Sequence, residues 1–191
     1  MVNWGSGVNT EVMRKINPKS FCMKRIISLV LFVYLFVNVL HSYGQVVGDL
    51  PILKNKKQFL ATINWLQDTV LKPNDSVFLA KAGQLTVYVL NFHANSPMSV
   101  KAYGDFIIGN EDYIYYKEIV MLLMFGEIVS EIESKTPDDY MSKSYKGMTI
   151  ALRYYDNILK NDPTNTNKVL DQWAELDKEG KLIEYIKSKL K

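Results

Sequence analysis

Fifteen consecutive residues, Ile26 to Leu40, are apolar except for Ser28 and Asn38, and this run limits what the start of the chain can become. Met23-Lys24-Arg25 stands directly before it and Ser42-Tyr43-Gly44 shortly after it. A short cationic start, an apolar stretch and small residues at the positions a signal peptidase reads together make a secretory signal. Residues 23–44 are therefore expected to be a signal peptide, cut between Gly44 and Gln45. A membrane anchor is the competing reading, but spanning a bilayer as a helix takes roughly 20 apolar residues. No basic stop signal follows the run. A core helix would carry a polar face, which the run lacks.

Residues 1–22 are polar, contain Gly5, Gly7 and Pro18, and show no apolar period. They are expected to be an over-extended start or a disordered tail. Cys22 precedes the apolar run, whereas a lipoprotein signal needs its cysteine where Gln45 stands, so no lipid anchor is expected.

The chain holds 23 basic and 20 acidic residues. Arg14, Lys15, Lys19, Lys24, Arg25 and Glu11 belong to segment 1–44; removing those five and that one leaves 18 basic and 19 acidic residues in 45–191, a net charge of −1. The apparent basicity belongs to the leader. A nucleic-acid partner is not expected, since phosphate binding needs a basic footprint. Residues 45–191 are long enough for one domain with a proper core. They contain no cysteine, so packing rather than disulfides must hold them. Their one histidine, His93, leaves no material for His-rich zinc sites or the Glu-x-x-His pattern of di-iron bundles. No metal or cofactor is expected.

Apolar residues recur at helical spacing through this domain. Asn55 and Gln58 stand at the spacing of a capping box, and Phe59, Ile63, Leu66 and Val70 follow on one helical face until Pro73-Asn74-Asp75. Phe78, Ala82, Leu85, Val89 and Phe92 mark a second helix over 76–92, although Leu85-Thr86-Val87-Tyr88-Val89 has strand-like content. A short helix is expected over 97–103. Asn110 is the expected cap of a long apolar helix over 111–134, and Thr136, Pro137, Asp138 and Asp139 form the expected start of a fourth. Asn161-Asp162-Pro163 should stop it, Thr164 should open a fifth, and Glu179 or Gly180 a sixth. The expectation is an all-α domain, an antiparallel bundle or stacked hairpins of five to six helices after the signal peptide.

Ala151, Tyr155, Ile158 and Pro163 stand at the offsets of the second helix and closing proline of a tetratricopeptide repeat, which this stretch resembles. The preceding positions Lys135, Asp138, Asp139 and Ser142 depart from the family's first-helix pattern, and no second copy follows at the family's period. The resemblance, confined to 151–163, implies a scaffold that binds a peptide or protein.

Two sets of side chains could carry function. Tyr113, Tyr116, Tyr154 and Tyr155 would make a recognition surface if exposed, and a core rim if half-buried. Glu127 and Glu131, four apart, put two carboxylates on one helix face, either for acid–base work or as a solvated edge facing Lys or Arg. His93 is expected to cap a helix or lie at the surface. An exported, non-enzymatic domain that binds a protein or peptide in the bacterial periplasm or outside the cell fits these residues best. The alternative is a carboxylate-based hydrolase acting on cell-wall or sugar substrates.

Overall fold

The computed structural model describes residues 52–134 and 139–191, and every regular element among them is helical. The residues expected to form the disordered start (1–22) and the signal peptide (23–44), the expected Gly44–Gln45 cut, and Thr136, Pro137 and Asp138 lie outside the described residues. The α-helices are α1 (Lys56–Asp68), α2 (Ser76–Phe92), α3 (Gly104–Ile107), α4 (Tyr116–Glu133), α5 (Tyr140–Asn161), α6 (Lys168–Lys178) and α7 (Leu182–Leu190). A 3-10 turn, Val100–Tyr103, runs directly into α3. The fold is all-α, and among the described residues no helix is long and apolar enough to cross a membrane.

Local chemistry accounts for where these helices begin. Asn55 caps α1 through the Gln58 N–H at 3.0 Å, and Gln58 Oε1 answers by accepting from the Lys54 N–H at 2.7 Å. This is a capping box whose return arm reaches one residue further out. Asp75 caps α2 through the Val77 N–H at 2.7 Å. The β-branched stretch stays helical because Leu85, Tyr88 and Val89 are buried and Thr86 turns its hydroxyl back onto the Ala82 carbonyl at 3.0 Å. Phe92 departs from the expected face: it is 59% exposed, because the last turn of α2 runs past the core.

Four starts differ from the expected ones, one of them that of α7, which begins at Leu182 rather than at Glu179 or Gly180. The long helix begins at Tyr116, since residues 110–115 form successive turns and Asn110 is occupied elsewhere, donating to the Asp105 carbonyl and accepting from Asn167. Asp139 sits at the N-cap of α5 rather than inside its first turn, accepting from the Met141 N–H at 3.0 Å. Thr164 closes a turn on Asp162, and Asn167 caps α6 by accepting from the N–H groups of Val169 and Leu170. The short segment expected over 97–103 is the 3-10 turn, continued by α3 to Ile107. Gly180, at φ +71, supplies the left-handed residue that ends α6, and the Lys181 N–H reaches back to the Leu176 carbonyl.

The helices pack as antiparallel neighbours. In the α1–α2 hairpin, the Phe59 ring meets the Tyr88 ring at a tilt near one end and Lys81 lies over Trp65 near the other. In the α4–α5 hairpin, Gly126 faces Gly147. Phe59 meets Phe125 edge-on, joining α1 to α4. Arg153 pairs with Asp68 and Asn157 donates to the Gln67 carbonyl, joining α5 to the end of α1. The α6–α7 pair closes the other side through buried Trp173, whose ring meets Phe106 and whose Nε1 donates to the Tyr185 hydroxyl. Tyr185 donates in turn to Asp105, anchoring α7 beside α3.

Candidate functional site

The candidate carboxylates do not line a solvated helix edge. Glu127 and Glu131 point from α4 into a polar cluster enclosed by the end of α2, the segment 93–103 and α5. Glu127 is 1% exposed. It accepts the Ser99 N–H at 2.9 and 3.1 Å on its two oxygens and the Tyr103 hydroxyl at 2.6 Å. Glu131, one turn on, accepts the Lys143 Nζ at 2.8 Å and the Ser96 hydroxyl at 2.7 Å, and its Oε1 lies 2.8 Å from His93 Nδ1. Lys143 is only 2% exposed. The expected Lys partner therefore exists, but inside the protein.

The two carboxyls titrate in opposite directions. Burial raises Glu127 to about 7, against the pull of the Tyr103 and Ser99 bonds and of the Lys143 charge. Burial also lifts Glu131, but the bonds from Lys143, Ser96 and His93 outweigh it and hold the group below its ordinary value. Tyr103 is pushed well up by burial and by the neighbouring Glu127. Ser144 lies beside Tyr103 at the inner end of the cluster, and its buried hydroxyl makes no hydrogen bond of normal geometry.

Chemically, the cluster can hold and exchange a proton at Glu127. It offers that proton no open route to a substrate, because Ser99 and Tyr103 cover the carboxyl. Among the described residues no three His, Cys, Asp or Glu side chains converge as a metal set.

The tyrosines are internal as well. Tyr154 and Tyr155 are buried in the core, so the expectation that they belong to an exposed recognition surface is corrected. Their stretch of α5 faces α4 on one side and α6 on the other. Tyr155 donates to Asp171 at 2.6 Å and accepts the Asn167 N–H at 2.8 Å, bracing the start of α6. Tyr113 and Tyr116 are half-buried rim residues, with hydroxyls committed to the carbonyls of Asn165 and Ile107. Burial raises the pKa of all four.

His93 is the C-cap residue of α2, as expected, and its ring also joins Glu131. Sequence reasoning missed Ser96, Ser99, Tyr103 and Lys143. The one available signal was Lys143, a cation where an apolar residue would suit the inner face of α5. The chain matches no protein-family model, no curated protein and no solved structure.

Proposed function

We propose that this chain is a non-enzymatic helical domain, exported by its leader, that binds a protein or peptide partner in the bacterial envelope or outside the cell. The observation that carries this reading is an inversion of the surface. The groups suited to chemistry are turned inward, while large apolar side chains stand outside. Trp65, Leu90 and Phe92 on the α1–α2 hairpin are 36%, 47% and 59% exposed. Aromatic side chains of this kind carry much of the energy at protein interfaces. The half-repeat resemblance over 151–163 agrees with a binding scaffold; Ala151, Tyr155 and Ile158 occupy the core-facing side of α5 that such a helix would use.

The test is crosslinking in intact bacteria producing the full chain, followed by comparison with the double variant Trp65→Ser, Phe92→Ser. Discrete adducts in the envelope fraction, lost in the variant, support the proposal. Adducts that persist unchanged, or none at all, count against it.

A second reading keeps the carboxylates as acid and base. What favours it is the divergence between Glu127, raised to about 7, and Glu131, held low, since acid–base pairs are tuned apart in this way. It requires segment 93–103 to move. Hydrolysis of cell-wall fragments by the purified protein, abolished by Glu127→Gln, would establish it.

A further inference from the structure

The geometry points to segment 93–103 as a proton-controlled latch: it closes over α4 when Glu127 carries a proton and loosens when Glu127 ionises. Four positions of this one segment, His93, Ser96, Ser99 and Tyr103, bond to just two carboxyls of α4. The two attachments differ in kind. Glu131 is matched by the Lys143 ammonium and keeps some contact with water, so it can hold its segment partners as an anion. Glu127 is enclosed and, among the described residues, forms no ion pair of its own. An enclosed carboxylate without a paired cation is costly, and taking up a proton relieves that cost.

The groups that face Glu127 are few. Tyr103 and Ser99 come from the segment, Lys143 from α5, and Glu131 from its own helix, with Ser144 of α5 beside Tyr103 and His93 beyond Glu131 at the end of α2. From α1, Phe59 meets this part of α4 edge-on at Phe125.

The direction follows from linkage. With the segment open, Glu127 is solvated and titrates near 4.5; with it closed, burial raises the group to about 7. The proton therefore binds the closed form preferentially. Opening should become easier as pH rises from 4.5 to about 7 and level off above that.

Hydrogen exchange of the full-length protein, with amide rates corrected for intrinsic pH dependence, tests this. The opening equilibrium for amides 99–103 should rise by about tenfold or more between about pH 5.5 and 7.5. In Glu127→Gln the rise should vanish while helicity by circular dichroism is retained. Tyr103→Phe, which removes a bond favouring the anion, should move the midpoint upward and serves if the Gln variant does not fold. The inference is overturned if wild-type opening is flat or falls with pH. It is also overturned if the slope survives in Glu127→Gln, or if Tyr103→Phe leaves the midpoint where it was.

Discussion

Gly126 of α4 and Gly147 of α5 meet backbone to backbone: a Cβ on Gly126 would lie 2.6 Å from the Gly147 Cα, and a Cβ on Gly147 would lie 2.5 Å from both the Leu123 carbonyl oxygen and the Tyr103 hydroxyl. The crossing brings the two longest helices together without an intervening side chain. It also sets the depth at which Glu127, next to Gly126, reaches Tyr103 and Ser99.

Replacing either glycine by alanine should therefore destabilise the protein. In an open helix the change would gain about 0.5–1 kcal/mol in propensity. Here the backbones must separate, and overpacking of this kind costs about 1–3 kcal/mol. Urea unfolding of Gly126→Ala and Gly147→Ala checks the sign; a gain in stability from either would refute the close crossing.

The two ion pairs joining α4 to α5 should behave differently. Lys143 is buried, and Lys143→Met would leave Glu131 with only His93 and Ser96, at a cost of about 2 kcal/mol. Lys146 and Glu133 are both more than a third exposed, so Lys146→Ala should cost less than about 0.5 kcal/mol. Equal losses in paired unfolding curves would contradict the enclosed cluster.

Glu131 should contribute to acid lability. Its folded pKa lies below 4.5, so its stabilisation is present above that value and is lost as pH falls through the folded one. Glu131→Gln should be less stable than wild type at neutral pH and should lose less stability on acidification. Midpoints of denaturant unfolding at several pH values measure this, and parallel curves for the two proteins would exclude the role.

Tyr155→Phe removes a hydroxyl that both donates to Asp171 and accepts from the Asn167 N–H. The loss should be about 1–2 kcal/mol, with the buried Asn167 N–H left unpaired. Faster exchange at the start of α6, with partner capture unchanged, is the expected result. Loss of capture in a folded variant would restore Tyr155 to a recognition role.

The helical period was readable along the middle of the helices that have one buried face, and failed at the end of α2, where Phe92 is exposed. Phe59, Ile63 and Leu66 on α1 and Phe78, Ala82, Leu85 and Val89 on α2 are buried where their spacing predicts. Helix starts were less readable, because capping residues are common and their partners decide which one acts: Asn110 has the right chemistry but spends it on Asp105 and Asn167. The candidate site was half legible. The spacing of Glu127 and Glu131 puts them on one face, but nothing local reveals that Ser99, 28 residues earlier, covers the first. Nor does spacing reveal that Gly126 and Gly147 face each other, since that depends on how the α4–α5 hairpin closes.

Separation of leader from domain is the premise of the proposed function, and intact-mass measurement on fractionated bacteria producing the full chain with a C-terminal tag tests it most directly. The account predicts a product in the envelope or medium whose first residue is Gln45. A cytosolic product that retains residues 23–44 would contradict it.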